Sequence, residues 1–238
     1  MHAVGIVAAA GSGLRLGADV PKALVPLAGR PLVCWAVDTL RAGGASEVVV
    51  AVPPADRAAF AAALPGVLLV DGGATRTASV RAALAATTPG VDVVIVHDAA
   101  RQLTPPGVVA RVLAALADGA RAVVPVRPVV DTMVVVDSDG LVTDAVPRAP
   151  LRRVQTPQGF DRRTLADAYA GLADDADLTD DAAVVRAVGI PVVTVDGDER
   201  AAKVTVAHDL AMAELMARTT VPTTEARNEP GPRPQVRS

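Results

Sequence analysis

The run Ala8-Ala9-Ala10-Gly11-Ser12-Gly13-Leu14-Arg15-Leu16-Gly17, closed by Pro21-Lys22, decides how this chain is read. It follows a short apolar segment, Val4–Val7, whose β-branched content predicts a buried strand. Where the chain must turn after that strand, small residues and glycines leave no bulky side chain, and a glycine backbone can approach a ligand closely. Two cations, Arg15 and Lys22, lie in the same loop. A glycine turn by itself needs no ligand; one that also carries cations suits an anion, and phosphate fits. The loop is neither of two common phosphate loops. The dinucleotide fingerprint needs a third glycine where Leu16 stands, and no Gly-Lys-Ser/Thr run follows as a mononucleotide loop requires.

Outward from this loop, strand and helix signals alternate to about Met216. Val4–Val7, Val48–Val52, Val67–Val70, Val91–Val96, Ala122–Val126 and Val192–Val195 predict strands. Helical patterns cover Pro31 to Ala42, Ala55 to Leu64, Thr75 to Ala86, Pro106 to Ala117, Thr179 to Val188 and Ala207 to Ala217. Continuous apolar strands alternating with helices predict an α/β fold, a Rossmann-like three-layer sandwich whose mostly parallel central sheet is covered on both faces. In such sheets ligands sit beyond the carboxyl ends of the strands, where the Gly11 loop lies. Asp131 to Pro147 breaks the alternation: two short strands flank the turn signal Asp137-Ser138-Asp139-Gly140 and predict a protruding β-hairpin arm. An isolated hairpin is marginal in water, so this one needs its own domain or another subunit to lie on. One domain is expected over 1–218, with the arm at about 131–150. The polar, proline-rich stretch 219–238 reads as a disordered tail.

The bulk numbers set limits. At 238 residues the chain can bury a full core, and with 51% hydrophobic but only 2% aromatic residues that core is built of many small contacts. A net charge of −3 offers no basic surface for nucleic acid. No apolar segment is long enough to span a membrane, no secretory leader pattern precedes Val4, and the single cysteine, Cys34, reads as core rather than nucleophile. A cytoplasmic protein is expected. Only Lys22 and Lys203 are lysines, which gives each of their positions some weight; codon usage alone could also leave them there.

Four further clusters stand at strand ends or in loops. Asp71-Gly72-Gly73-Ala74-Thr75-Arg76 opens a helix containing Ser79; its glycines allow backbone contact with a flat or anionic group, although an ordinary strand-to-helix turn would look the same. In His97-Asp98-Ala99-Ala100-Arg101, a carboxylate after the strongest strand is suited to Mg²⁺ on a triphosphate, with a helix N-cap as the competing role. Arg101 can meet a second phosphate, and His97 reads as packed rather than catalytic. Val154-Gln155-Thr156-Pro157-Gln158-Gly159-Phe160 is too generic to identify alone. Lys203, in an apolar run, could simply reach for water.

Taken together, these motifs resemble the 2-C-methyl-D-erythritol 4-phosphate cytidylyltransferase family, from about Val4 to Met216. The likeness rests on Ala9-Ala10-Gly11-Ser12-Gly13 through Arg15 to Pro21-Lys22, Asp71-Gly72-Gly73 with Arg76 and Ser79, and His97-Asp98-Ala99-Ala100-Arg101. It continues through Pro125-Val126, Asp131-Thr132, Thr156-Pro157-Gln158, Thr179-Asp180-Asp181-Ala182 and Lys203-Val204-Thr205. The resemblance implies a nucleotide-diphospho-sugar transferase type of fold and transfer of CMP from CTP to 2-C-methyl-D-erythritol 4-phosphate with release of pyrophosphate, with Mg²⁺ held by Asp98. Arg15, Lys22 and Lys203 would be catalytic. Ala9, Ala10, Gly11, Ser12, Gly13, Gly73, Ala74 and Ser79 would bind the nucleotide, and Ala99, Arg101, Thr132, Arg148 and Thr156 the polyol phosphate. Thr132 and Arg148 would come from the arm of a partner subunit, which implies a homodimer. The rival is a cytidylyltransferase for another polyol phosphate, such as ribitol 5-phosphate. Four positions depart from the family pattern: Ala74 for an acid, Gln102 for a proline, Val134 for a lysine and Ala201 for an asparagine.

Overall fold

The computed structural model describes residues 1–11, 20–172 and 178–220. The first half alternates as expected: β1 (Ala3–Ala8), a 3-10 turn at Lys22–Leu24, the short pair β2 (Pro26–Leu27) and β3 (Arg30–Pro31), and α1 (Leu32–Ala42). Then come β4 (Glu47–Val52), α2 (Arg57–Ala63), β5 (Leu68–Asp71), α3 (Arg76–Ala85), β6 (Val93–Asp98), α4 (Pro106–Ala117) and β7 (Ala122–Pro128). The arm is β8 (Met133–Val136) and β9 (Val142–Val146). The chain returns through β10 (Arg152–Val154), β11 (Gln158–Asp161), α5 (Arg162–Ala170), α6 (Asp181–Ala187), β12 (Val193–Asp196) and α7 (Ala207–Thr220).

The central strand is β1, paired in parallel with β4 on one side and β6 on the other. Alternate residues face opposite layers, as a two-residue side-chain period requires. Val7 packs with Val37 and Leu40 of α1 and Val109 and Val112 of α4. Val4 and Ile6 pack with Val80 and Leu84 of α3, Leu165 and Tyr169 of α5 and Val184 of α6. Burial on both faces is why these strands are apolar throughout rather than alternating. Cys34 is buried in the first layer, where burial pushes its thiol pKa up, as the core assignment requires.

Two features depart from the sequence expectation. The strand expected to end at Val96 runs on to Asp98, so His97 and Asp98 are strand residues rather than loop. The segment 152–170 forms two strands and a helix where only a strand end was expected. Asp161 caps that helix, accepting from Thr164 N–H (2.7 Å), and Leu165, Ala168 and Tyr169 form its buried face. Val126 is paired with both Val154 and Asp196, and Val123 with both Gly159 and Val193. Hence β12 takes one edge of β7, and β10 and β11 share the other, antiparallel. Between them the ladder bulges at Gln155-Thr156-Pro157, with Thr156-Pro157 in cis, and this bulge lies beside the carboxyl end of β6.

The arm forms as expected. Gly140 takes φ +83 in its turn, and the Asp137 carboxylate accepts from the Asp139 and Leu141 N–H groups. Among the described residues its strands pair only with each other, and Val134, Val135, Val136, Leu141 and Val142 are exposed. Among the described residues no helix is long and apolar enough to cross a membrane. The end of the expected tail, 221–238, lies outside the described residues.

Candidate active site

The carboxyl ends of β1, β5 and β6 converge on a cleft of about 590 Å³, with Lys22 and Lys203 on its walls. Ala9, Ala10 and Gly11 line it from the first loop, and Gly73, Ala74 and Ser79 from the second; Asp98, Ala99 and Ala100 form its floor. Ser12, Gly13 and Arg15 lie outside the described residues.

Space explains the second loop. A Cβ on Gly72 would collide with the Ala10 methyl group, and one on Gly73 with Ala78 of α3. Only glycines let the loop close against both the first loop and the helix, which leaves a flat backbone wall. Ser79, buried, stitches that wall: its hydroxyl donates to Thr75 C=O (2.9 Å) and accepts from Gly73 N–H (3.1 Å). Thr75 caps α3 by accepting from Ala78 N–H (3.0 Å), as its position suggested.

Asp98 caps no helix; the next one, α4, begins at Pro106. Instead it faces three cations. Arg76 Nε donates to its Oδ1 at 3.2 Å, Lys203 Nζ lies 2.9 Å from Oδ2, and Arg101 Nε lies 3.8 Å from Oδ2. Burial alone would raise its pKa, but Arg76, Lys203 and Arg101 outweigh burial and hold the carboxyl well below the usual carboxylate range. Asp98 is therefore an anion in the floor of the cleft. Its side chain is only 11% exposed, whereas that of Lys203 is 41% exposed, so the lysine is the partner free to turn toward a ligand.

Behind the floor, the cleft is braced by residues the sequence marked as substrate contacts. Thr156 is buried; its hydroxyl accepts from Asp98 N–H (3.0 Å) and lies 2.8 Å from His97 Nδ1. Burial pushes His97 down to about 4, so the imidazole is neutral and Nδ1 can accept from that hydroxyl. Arg101 donates to Ala201 C=O (2.7 Å), and Val204 N–H donates to Ala100 C=O (2.8 Å), so the Lys203 loop is tied to the end of β6 on both sides of the lysine. The Gln155 side chain adds a strand-like pair of bonds to Asp198, accepting from its N–H (3.0 Å) and donating to its C=O (2.8 Å). Ala201, in place of the family's common asparagine, is fully buried and contributes only its carbonyl here.

Thr132 and Arg148 are exposed on the arm and do not line this chain's cleft; Arg148 Nη1 donates to Val130 C=O. Two residues with no assigned role in the sequence belong to the site. Arg76 lines the cleft and joins Asp98 to Asp181, a fully buried carboxylate at the start of α6. The signal was present in the motifs Asp71–Arg76 and Thr179–Ala182, but nothing in the sequence showed that they meet.

The sequence matches the family described as 2-C-methyl-D-erythritol 4-phosphate cytidylyltransferase over residues 3–219. A protein of that name from Saccharopolyspora erythraea is 51% identical over 224 residues, covering 91% of this chain and 99% of the relative. The chain belongs to this family. Another family member, from Frankia casuarinae, is 49% identical over 225 residues, covering 94% of this chain and 84% of its own length. The crystal structure of the family enzyme from Thermus thermophilus superposes with a TM-score of 0.75 at 39% identity, covering 92% of this chain and 100% of that one. This family is one of nucleotidyltransferases, and a cleft with a glycine-walled side and a cationic side has the form that a nucleoside triphosphate needs.

Proposed function

We infer that this protein transfers CMP from CTP to 2-C-methyl-D-erythritol 4-phosphate, releasing pyrophosphate, in the synthesis of isoprenoid precursors. The observation that carries this reading is the convergence of the glycine wall, Asp98 and both of the chain's lysines on one cleft.

The reaction is an in-line displacement. An oxygen of the acceptor's phosphate attacks the α-phosphorus of CTP, a new P–O bond forms, and the bond to the β-phosphate oxygen breaks with its electron pair leaving on pyrophosphate. Little covalent help from the protein is needed, so rate comes from positioning and from neutralising charge on the phosphates. The Gly72–Ala74 wall, stiffened by Ser79, presents backbone groups to the cytosine. Lys22 and Lys203 stand where they can hold the triphosphate from two sides, and Arg15 in the first loop joins them by its place in the motif.

Mg²⁺ belongs to this reading. Among the described residues no cluster of three or more His, Cys, Asp or Glu side chains could cage a metal. A single ionised carboxylate fits a different mode, in which Mg²⁺ takes one protein oxygen and draws its other ligands from substrate phosphates and water. Asp98 would hold the ion, which when bound supplies charge neutralisation at the phosphates.

A homodimer completes the site. Among the described residues the arm's exposed apolar side chains have no partner strand outside the arm, and Thr132 and Arg148 do not line this chain's own cleft. Delivered by a second copy, they would meet the acceptor phosphate beside Arg101. A cytoplasmic location belongs to this reading.

Pyrophosphate release measured with CTP against a panel of polyol phosphates, with and without Mg²⁺, tests the reading. Fastest turnover is expected with 2-C-methyl-D-erythritol 4-phosphate and Mg²⁺. Faster turnover with ribitol 5-phosphate would overturn the acceptor assignment.

A further inference from the structure

The Thr179–Ala182 motif has no part in the chemistry above, yet it places a fully buried carboxylate, Asp181, directly behind the cleft. Asp181 is held from two sides. Tyr169 OH donates to its Oδ1 at 2.6 Å, and Arg76 Nη2 donates to its Oδ2 at 2.7 Å. The start of α6 that carries it is fixed in turn by Gln158, whose amide donates to Asp180 Oδ2 (3.0 Å) and accepts from Ala182 N–H (3.0 Å). Gln158 comes from β11, which pairs with β6 beside Asp98. The whole assembly is one buried polar scaffold that ends on the Asp98 carboxylate.

The sharing of Arg76 is the informative point. A guanidinium beside a carboxylate prefers to close a fork, with two parallel N–H groups on the two oxygens. Here the fork is split. Nη2 goes to Asp181, only Nε reaches Asp98, at the longer distance of 3.2 Å, and the buried Nη1 has no hydrogen-bond partner among the described residues. The cost of that arrangement makes sense if a closed fork on Asp98 would be worse for the enzyme. With Arg76 on one oxygen only, Oδ2 faces Lys203 at 2.9 Å and Arg101 at 3.8 Å, and the half-exposed lysine is the partner most able to leave when phosphates enter.

We propose that Asp181 is a positioning residue for Asp98: by taking one arm of the Arg76 guanidinium, it keeps Arg76 from closing on Asp98 and so keeps a carboxylate oxygen open to the metal that accompanies the triphosphate. This rests on the reading of Asp98 as the metal's protein ligand. Asp181 also carries the negative charge that balances Arg76, so its neutralisation leaves a cation whose full charge falls on Asp98. Both effects weaken metal binding. Loss of a group that orients a metal ligand typically costs roughly 10–100-fold in affinity.

The test titrates Mn²⁺, as a spin probe in place of Mg²⁺, into the complex of the full-length enzyme with CTP, reading free Mn²⁺ by electron paramagnetic resonance. No turnover is needed. Asp181→Asn is expected to weaken Mn²⁺ binding by roughly tenfold, with the same rise in the Mg²⁺ concentration that gives half-maximal rate. The shift is expected to depend on Arg76, so Arg76→Gln/Asp181→Asn should match Arg76→Gln alone. That comparison also decides the matter if Asp181→Asn by itself fails to fold, since neutralising both members of a buried pair is better tolerated than breaking it. A lower rate without a shifted Mn²⁺ midpoint, or a shift that persists without Arg76, would overturn the proposal. Asp98→Asn separates the two levels: if it leaves Mn²⁺ binding unchanged, the assignment of Asp98 falls and the role of Asp181 with it. If Asp98→Asn weakens binding and Asp181→Asn does not, only the role of Asp181 falls.

Discussion

Replacing Lys203 by alanine separates chemistry from folding more cleanly than any other change at this site. The side chain is 41% exposed and pairs with Asp98 at 2.9 Å, while Asp98 keeps Arg76 and Arg101 as fixed partners. The pair is solvent-exposed only at the lysine end, and Asp98 retains its two other cations, so its loss is expected to cost about 1 kcal/mol and the variant to unfold within a few degrees of the parent protein. Its effect on rate is expected to be far larger. An ammonium about 4 Å from a unit of negative charge is worth about 4 kcal/mol at an effective dielectric near 20. Solvent screening at a half-exposed side chain reduces that to about 2–3 kcal/mol, or about 30- to 160-fold in kcat/KM for CTP. The assay is steady-state pyrophosphate release at saturating acceptor, with thermal unfolding measured on the same samples. A loss of less than about threefold would refute the assignment of Lys203 to the phosphates. A large loss accompanied by a collapse in Tm would show that the lysine acts on the fold instead.

Other outcomes follow from the same geometry. Arg148→Ala is expected to raise KM for the polyol phosphate and leave that for CTP nearly unchanged, because Arg148 does not line the cleft that carries the nucleotide wall; the opposite pattern in initial-rate kinetics would contradict it. Gly73→Ala is expected to raise KM for CTP by about tenfold or more, since a Cβ there meets Ala78 and must push the wall out of place. Val142→Asp, in the exposed apolar face of the arm, is expected to shift the protein from dimer to monomer in analytical ultracentrifugation. His97 makes folding stability depend on pH. The unfolded chain takes up a proton near pH 6.5, while burial holds the folded imidazole neutral down to about 4. The folded pKa is depressed, so this stability is complete above about pH 6.5 and is lost as pH falls toward 4, by about 3 kcal/mol. Denaturant unfolding at pH 7.0, 5.5 and 4.5 should show the loss, and His97→Asn should flatten it.

The linear order of residues determined a good deal here. Apolar β-branched runs of strand length that alternate with helical patterns predict buried strands, and strands buried on both faces need helices on both sides, so the layered parallel sheet was legible from Val4–Val7 and its counterparts. The rule that ligands gather beyond strand carboxyl ends put the Gly11 loop at the site, and the cleft lies there. The hairpin arm was legible from Asp137–Gly140 because a tight turn is a local event. The family, and with it the cytosine, came from motifs in a fixed order rather than from the physics of any one of them.

What the sequence left open were the pairings between distant segments. Thr156 is 58 residues from Asp98, yet its hydroxyl accepts the Asp98 N–H. Asp181 is 105 residues from Arg76 and takes one arm of its guanidinium. A side chain's charge is written in its name, but its burial and its neighbours are set by strand order and register. Those neighbours fix the ionised state of Asp98, the neutrality of His97 and the split fork of Arg76. The strand at Gln158–Asp161 escaped notice for a related reason: a short, partly polar run becomes a strand only because β6 and β7 leave a gap that it fills. The sequence alone therefore determined the scaffold and the chemical types at the site. Tertiary structure decided which of the chain's charges face one another, because that depends on contacts between residues that are far apart along the chain.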